Sequence, residues 1–255
     1  MTTPNAAICL IGDELLSGRT RDINVQQIAG FLRPFGIPIE EVRIVPDIHS
    51  RIVEAVNALR EGYTYVFTTG GIGPTHDDIT ADAIAAAFGV GIDKHPEVMA
   101  MLQARYDEMG TEFTEARQRM ARIPDGASLI ENPVSGAPGF QTGNVFTLAG
   151  VPSIVQGMLQ DVGHRLEHGR VVNAKTVRVP GLREGDIAET LSALDKDFDE
   201  VSFGSYPWFR SVSDHGVSLI ARSADDDALA QAADRLIELA KSAGGEGELI
   251  EGEAG

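Results

Sequence analysis

Short apolar runs and amphipathic stretches alternate along the first two thirds of the chain. The apolar runs at residues 6–11, 37–45 and 63–69 have the length of strands and predict buried ones. Apolar residues recur at helical spacing between and after these runs, in residues 25–32, 48–61, 82–88, 95–109, 113–121 and 151–166. This β-α-β-α-β-α order predicts an α/β fold with a doubly wound, mostly parallel sheet and helices on both faces.

The remainder of the chain predicts a second, smaller domain. A boundary is expected near residue 168, so that residues 1–168 form the first domain and residues 169–243 a small α+β unit. Strands are predicted in that unit at residues 175–179, 200–203 and 217–221, and helices at residues 186–194 and 229–240. Residues 244–255 are rich in Gly and Glu, which predicts a disordered tail.

Composition and charge narrow the classes of partner. The 255 residues are 43% hydrophobic, which suffices for one medium domain with a small one. The net charge is −17, and such an acidic surface repels nucleic acid and anionic membranes. Because the sequence has no apolar stretch of transmembrane length and no secretory signal, we expect a cytoplasmic protein. The single cysteine, Cys9, lies in the first apolar run and is predicted to be a core residue.

The most informative motif is a glycine-rich loop between the third predicted strand and the following helix. Glycines allow the backbone to approach a ligand closely, and a helix N-terminus favours negative charge. The loop therefore predicts a binding site for a phosphorylated small molecule, with a tight turn that binds nothing as the alternative. The candidate contacts are Thr69, Gly70, Gly71, Gly73, Pro74 and Thr75.

Three carboxylates follow neighbouring strands of the predicted sheet, and each has a structural alternative. Asp78 either closes a helix capping box with Thr75 or binds a divalent cation, Mg²⁺ or another, beside the phosphates. Asp22 and Asp47 follow the first and second strands, where each is also placed to cap a helix. Because the carboxyl ends of parallel strands share one edge, we expect Asp22, Asp47 and Asp78 to act together in catalysis, with Asp78 as the metal ligand.

Two polar loops are predicted to complete the site. The first follows the first strand, and its candidate contacts are Gly12, Asp13, Glu14, Ser17 and Asn24. The second spans residues 132–143 and is predicted to join strands at residues 127–130 and 144–148 as a hairpin. Loops of this length in compact domains commonly carry function. Its candidate contacts are Asn132, Ser135, Gly136, Ala137, Pro138 and Gly139.

An aromatic segment at residues 204–209 of the second domain contains the only tryptophan, Trp208. We expect this segment to pack in a core or between domains, with a ligand wall or an interface between copies as alternatives. The interface alternative favours a homo-oligomer.

Together these motifs resemble the molybdopterin-binding superfamily of molybdenum-cofactor biosynthesis proteins. They are most similar to the N-terminal region of the competence/damage-inducible protein A family, over about residues 6–168. The second domain is similar, more weakly, to the KH-like domain that follows in that family. The residues that carry the resemblance are 69–75 with Asp78 and Thr80, 12–18 with Asp22 and Asn24, and 132–133 with 136–139.

The resemblance implies a pocket around the glycine loop that takes a molybdopterin-type pterin or a nucleotide. Members of this subgroup are similar to divalent-metal-dependent pyrophosphatases acting on ADP-ribose-type compounds, and a region of FAD synthases is a further relative. The family pattern Leu-Pro-Gly-Val-Pro-x-Glu has Ala149 and Ile154 in place of its first proline and its glutamate. The resemblance therefore implies either a pyrophosphatase on ADP-ribose or FAD-type diphosphates, or a pterin- or nucleotide-binding protein without catalysis.

Overall fold

The computed structural model describes residues 3–212 and 214–253. The chain divides into two compact units, and the division falls between Gly169 and Arg170. The ends of the predicted first domain and of the predicted tail, residues 1–2 and 254–255, lie outside the described residues. Within the described ranges, no helix is long and apolar enough to cross a membrane.

The first unit is organised around one large mixed sheet. Its strands are β1 (Ala6–Ile11), β2 (Ile39–Val45), β3 (Tyr65–Thr69), β4 (Ile92–Lys94), β5 (Arg122–Pro124), β6 (Ser128–Ile130), β7 (Gly139–Thr142) and β8 (Val145–Leu148). Six of them pair in the order β2-β1-β3-β8-β7-β6, and the β2-β1-β3-β8 part is parallel. The strands β4 and β5 form a separate antiparallel ribbon, which no apolar run in the sequence predicted.

Helices cover both faces of this sheet. They are α1 (Asp13–Leu16), α2 (Asn24–Leu32), α3 (His49–Gly62), α4 (Thr80–Phe88), α5 (Pro96–Glu108), α6 (Glu115–Gln118) and α7 (Pro152–Leu159). Because side chains alternate along a strand, Cys9 of β1 packs in one cluster with α3, α4 and α5, whereas Ile8 and Leu10 pack in a second cluster with α2 and α7. Burial on both faces explains the continuous apolar run of β1 and confirms the predicted doubly wound fold.

The predicted hairpin between residues 127–130 and 144–148 is wrong. The strand β7 lies between them, so that β6, β7 and β8 form a three-stranded antiparallel meander. Only four residues long and opened by Gly139, β7 has too little apolar pattern to stand out in the sequence. Gly139 is needed there, since a Cβ would lie 2.5 Å from the Thr147 carbonyl oxygen of β8.

The second unit is a four-stranded antiparallel sheet with helices. Its elements are β9 (Asn173–Pro180), α8 (Ala188–Lys196), β10 (Ser202–Ser211), β11 (Asp214–Ser223), α9 (Asp226–Ser242) and β12 (Glu248–Glu251), and the sheet order is β10-β11-β9-β12. Apolar residues of β9 and β11, including Val177 and Leu219, form a core with Leu236 of α9. This unit confirms the expected small α+β domain.

The predicted disordered tail is wrong for its central part. Residues 248–251 form β12, which pairs antiparallel with β9. Gly245 and Gly247 permit this return, because a Cβ on either would lie within 2.6 Å of a valine Cγ1 of β9. The glycines of this segment, which had predicted disorder, therefore allow the chain before β12 to pass close to β9.

The expected core burial of the aromatic segment is also wrong in part. This segment lies in β10, an edge strand, and Tyr206 and Phe209 are 48% and 73% exposed. The Trp208 ring instead lies 4.4 Å from the Arg178 guanidinium carbon, a cation–π arrangement on the sheet.

A close backbone contact holds the ends of three parallel strands together. Gly70 follows β3 with a φ of +99°, and a Cβ there would lie 2.2 Å from the Ile11 carbonyl oxygen at the end of β1. The Gly70 N–H donates to the Leu148 carbonyl oxygen at the end of β8, at 3.2 Å. Gly70 therefore sits where no other residue type fits without moving a strand.

We expect Gly70→Ala to lower the free energy of unfolding by roughly 2–4 kcal/mol, because it adds a backbone clash to an unfavourable positive φ. Gly110→Ala is the matched control, since Gly110 has a φ of +62° with open space around its Cα. The control should cost roughly 1–2 kcal/mol, from backbone conformation alone. Urea unfolding of both variants measures the difference, and equal losses would show that the contact with Ile11 is unimportant.

Candidate functional site

Three connections meet at the carboxyl ends of β1, β3 and β8, the edge where open α/β sheets bind ligands. A Cβ on Gly150, just after β8, would lie 3.3 Å from the Gly70 Cα. Asn24 Nδ2, from the start of α2, donates to the Gly150 carbonyl oxygen at 2.9 Å. The structure thus places Asn24 beside the glycine loop, and its Oδ1 is buried with no partner among the described residues.

The glycine loop folds tightly against the start of α4. A Cβ on Gly71 would lie 2.1 Å from Thr80 Oγ1, and the Thr80 N–H donates to the Gly71 carbonyl oxygen at 3.0 Å. A Cβ on Gly73 would lie 2.7 Å from an Asp78 carboxylate oxygen. The Thr80 hydroxyl is fully buried and has no hydrogen-bond partner within the described part of the chain. Gly71 therefore lies where a side chain would clash with Thr80, and Gly73 leaves space for the Asp78 carboxylate.

The other candidates of this loop differ in exposure. Thr69 ends β3 and is buried, whereas Pro74 and Thr75 are exposed. The Asp78 carboxylate accepts hydrogen bonds from the Thr75 N–H at 2.7 Å and from its hydroxyl at 2.5 Å. Because α4 begins only at Thr80, this contact closes a turn, and the predicted capping box at a helix start is wrong.

Two arginines that the sequence interpretation did not select lie at this turn. Arg119 donates from Nε to the Thr75 carbonyl oxygen and from a terminal nitrogen to that of Asp78, both at 3.1 Å. Arg122 forms a two-pronged ion pair with Asp82 of α4, with both contacts at 2.6 Å. The concentration of basic residues at positions 117, 119 and 122 of an acidic chain was the available signal.

A small pocket lies between the glycine loop and these arginines. The space open to the centre of a water molecule is about 10 Å³, room for a single water. Its walls include Gly71, Gly73, Asp78, Arg119, Pro138 and Phe140. Backbone, carboxylate and guanidinium groups therefore converge on one cleft at the predicted edge.

The carboxylates separate into different environments. The Asp13 N–H donates to Asp47 Oδ2 at 2.9 Å, which joins the loops after β1 and β2. Burial raises the pKa of Asp47, and the negative charges of Asp13, Glu14 and Asp77 raise it further. The structure thus brings together acidic side chains that the sequence interpretation had only partly linked.

Asp22 is not part of that group. Its two carboxylate oxygens accept hydrogen bonds from the N–H groups of Asn24 and Val25, both at 3.1 Å, at the start of α2. Across residues 3–212 and 214–253, no three or more His, Cys, Asp or Glu side chains are arranged to hold a metal ion. Asp22 and Asp78 each accept hydrogen bonds from nearby backbone N–H groups, and the described contacts of Asp47 lead to Asp13. A joint role of Asp22, Asp47 and Asp78 stays a prediction.

The remaining candidates of the first loop shape a short helix. The Gly12 N–H donates to the Val45 carbonyl oxygen at 3.1 Å, and a Cβ on Gly12 would lie 2.6 Å from the Glu14 carboxylate. The exposed Ser17 hydroxyl donates to the Glu14 carbonyl oxygen at 3.3 Å. This loop therefore positions Asp13 and Glu14 next to Asp47.

The second predicted loop is held by Asn132. Its Nδ2 donates to Ser135 Oγ at 2.5 Å and to the Ala137 carbonyl oxygen at 2.7 Å, while Oδ1 accepts the Ser135 N–H at 3.1 Å. Gly136 has a φ of +82° and lies against the Arg105 side chain. Within this loop, Pro138 reaches the pocket, whereas Asn132, Ser135, Gly136 and Ala137 interact with one another or with Arg105 and Gly139 packs in β7.

The raised pKa of Asp47 predicts a specific pH dependence of stability. The folded state binds a proton on the Asp47 carboxylate more tightly than the unfolded chain does. The stabilisation from this proton is therefore fully present below pH 3.8, the ordinary pKa of the group, and is lost as the pH rises through the raised pKa of Asp47. Asp47→Asn stays neutral and keeps an oxygen for the Asp13 N–H. We therefore expect the free energy of unfolding of the variant, minus that of the parent, to increase with pH above 3.8.

Urea unfolding at a series of pH values measures this difference. Asp93→Asn, at an exposed position of β4, controls for the loss of one negative charge from the chain. A difference that decreases with pH for Asp47→Asn would contradict the assigned sign.

Comparison with known proteins identifies the family of the chain. The family model described as "Probable molybdopterin binding domain" matches residues 7–168, and the model "FAD synthase, middle domain" matches residues 174–244. A protein of Pyrobaculum arsenaticum is 34% identical over 251 residues, which cover 93% of this chain and 95% of the relative. A CinA-like protein of Synechococcus sp. is 34% identical over 76% of this chain but 49% of its own length. The chain thus spans about half of that relative.

A solved structure extends the comparison to the fold. The CinA protein of Thermoplasma acidophilum, described as of unknown function, has a TM-score of 0.59 and 32% identity. The similarity covers 64% of this chain and 98% of that protein. The resemblance inferred from the motifs is confirmed: the chain belongs to the probable molybdopterin-binding domain family and to its CinA-like group.

Proposed function

We propose that this protein binds a phosphorylated pterin or nucleotide at the glycine loop 70–74 and hydrolyses ADP-ribose or FAD-type diphosphates with a divalent cation. One observation carries the binding part. Across the described residues, the N–H groups of Gly71, Ile72 and Gly73 have no hydrogen-bond acceptor. Three consecutive free donors in a loop that leads into a helix N-terminus form an anion-binding arrangement.

The charges around the loop support the same ligand class. Arg119 and Arg122 line the cleft of a chain whose net charge is −17, and Asp82 of the same cleft pairs with Arg122. Arg119, which donates to carbonyl oxygens, is therefore the side chain that offers positive charge to a phosphate. Arg119 also holds the Thr75–Asp78 turn through two carbonyl oxygens, which fixes the Asp78 carboxylate next to Gly73. A diphosphate bound to the free N–H groups would lie at the opening of this cleft, whose interior has room for a single water, with Arg119 beside it.

The acidic residues fit a hard cation that binds mainly through its substrate. Mg²⁺ prefers oxygen ligands and commonly uses one or two carboxylates together with substrate phosphates, so it does not need a preformed group of three side chains. We assign Asp78 as its protein ligand. Bound there, the cation would neutralise charge on the diphosphate. Asp47, whose pKa is raised by burial, is the candidate to take a proton from the attacking water. Asp22 is assigned a positioning role, because its carboxylate fixes the start of α2 and thereby Asn24.

Binding without catalysis is the second candidate. Ile154, at the position of the family glutamate, packs against the apolar cluster of α2 and α7. Ala149 lies beside the same cluster, and its N–H donates to Met158 Sδ at 3.5 Å. An acidic side chain is thus replaced by a packing residue, which favours a role in holding a pterin or nucleotide without turning it over.

The proposed function includes self-association and a location in the cell. We propose a homo-oligomer that acts in the cytoplasm on a small phosphorylated ligand. Nucleic acid is not proposed as a partner, since the 17 acidic against 8 basic side chains of residues 171–255 oppose contacts with a phosphate backbone.

Incubation with ADP-ribose or FAD, with and without Mg²⁺, tests the proposal through product formation and through binding measured by calorimetry. We expect metal-dependent hydrolysis, and a loss of at least about 100-fold in rate for Asp78→Asn, because the variant removes charge at the assigned metal ligand. The amide introduced by Asp78→Asn keeps an oxygen that can accept from Thr75, so the turn should survive.

Asp93→Asn is the matched control, because it removes one negative charge at an exposed position of β4 that does not line the cleft. It should change the rate by less than about threefold. Binding without turnover would support the second candidate. Failure to bind ADP-ribose, FAD or molybdopterin would reject the glycine loop as a ligand site.

A further inference from the structure

The edge strand β2 presents an unusual apolar surface. It pairs with β1 on one side, and among the described residues no strand pairs with its other side. Val42 and Ile44 are 42% and 46% exposed, although their partners on β1, Ile8 and Leu10, are almost fully buried. Open strand edges with exposed apolar side chains are templates for pairing with another chain.

The backbone of β2 is oriented for such pairing. The Gly12 N–H donates to the Val45 carbonyl oxygen, and the ladder with β1 alternates residue by residue. Residues 43 and 45 therefore direct their backbone groups toward β1. Val42 and Ile44 direct theirs to the open edge, where a second strand would find free donors and acceptors.

The charges on β2 identify the partner. We propose that a second copy of this chain pairs antiparallel with β2 about a two-fold axis through Val42. Glu41 and Arg43 flank Val42 and form an ion pair within the strand, with side chains 32% and 37% exposed. In this register Glu41 of each copy lies opposite Arg43 of the other, so the pairing adds two cross-strand pairs of opposite charge.

Neighbouring registers lack this complementarity. An axis through Arg43 would place the two Arg43 side chains opposite each other, and an axis through Glu41 would do the same for the two carboxylates. The axis through Val42 also centres the overlap of the whole strand Ile39–Val45. Opposite charges and full overlap thus coincide in one register, which is what a self-complementary interface requires.

Two features limit the length of the pairing. The β1–β2 register shifts between Ala6 and Ala7, near the start of β2, and prolines at positions 38 and 46 flank the strand. The interface therefore depends on the side chains around Val42 as well as on backbone hydrogen bonds. The two Val42 side chains would lie opposite each other, and Ile44 of each copy would be the diagonal neighbour of Val42 in the other, so these exposed apolar side chains would be covered.

The dimer would leave each ligand site complete in its own copy. Asp47 follows the carboxyl end of β2, and antiparallel pairing points the two carboxyl ends in opposite directions. The dimer rests on the homo-oligomer proposed above, and it does not depend on the proposed ligand binding. The two proposals can therefore fail separately.

Cysteine cross-linking tests the register. The native Cys9 is fully buried, and burial raises its pKa to about 12, so it does not react under mild oxidation. Val42→Cys would place two thiols on the axis, with Cα atoms about 5.5 Å apart, within disulfide range. Ile44→Cys would lie opposite Glu40, with its two copies roughly 13 Å apart along the strands.

We expect a covalent dimer for Val42→Cys and monomer for Ile44→Cys on a denaturing gel without reductant. Met109→Cys, at a position 62% exposed in the other part of the same unit, controls for random collision. Equal yields from the three variants, or no dimer from Val42→Cys, would overturn the proposed register.

A charge swap tests the partner. Sedimentation of the wild-type chain over a range of concentrations should show a monomer–dimer equilibrium. Arg43→Glu should raise the dissociation constant of the dimer at least about tenfold, because the symmetric dimer contains two Glu41–Arg43 pairs and the variant loses both. The double variant Glu41→Arg with Arg43→Glu should restore dimerisation, because the opposite charges face each other again.

A wild-type chain that stays monomeric at all concentrations, or a double variant no better than Arg43→Glu, would overturn the proposal. Circular dichroism of each variant checks the fold, since Tyr63 also donates to Glu41. Binding of ADP-ribose to Arg43→Glu should match the wild type. Loss of the dimer with binding intact would show that the two proposals are independent.

Discussion

The contact between backbone atoms at the ends of β1, β3 and β8 is the constraint on which the site depends. Gly70 approaches the Ile11 carbonyl oxygen so closely that a Cβ would lie 2.2 Å away, and Gly150 approaches Gly70 in turn. This approach lets three connections share one small region. Among residues 3–212 and 214–253, the N–H groups of residues 71–73 find no acceptor, because the loop turns back on itself at once and leaves these donors outside any strand or helix.

Basic side chains lie at the glycine loop, although the chain as a whole is acidic. The protein is strongly acidic, yet Arg119 and Arg122 stand at the glycine loop, while Asp13, Glu14 and Asp47 gather at the neighbouring connection. Basic and acidic groups on neighbouring connections suit the proposed ligand, which combines phosphates with a cation. The acidity of the whole chain opposes contacts with extended polyanions, which is consistent with the small phosphorylated ligand that we propose.

Much of the fold was predictable because buried strands and helices have apolar residues at a characteristic spacing in the sequence. The run at residues 6–11 is apolar at every position, since β1 is covered on both faces, and α9 shows its apolar stripe at helical spacing. The strands β7 and β12 have no such apolar pattern. Each has only four residues, and each depends on glycines that permit close approach to a neighbouring strand, β8 for β7 and the distant β9 for β12. Arg119 was missed because its partners lie more than 40 residues away.

By itself, the sequence determined the order of strands and helices, the position of the glycine loop and the family of the chain, because periodicity and glycine spacing are local properties. The tertiary structure decided which polar groups meet. It assigned Asp22 to α2 and Asp78 to its own turn, and it joined Asp47 to Asp13 across two loops. The physical reason is that a carboxylate takes whichever donors the packed strands bring within hydrogen-bond distance, and strand pairing between distant segments sets that distance.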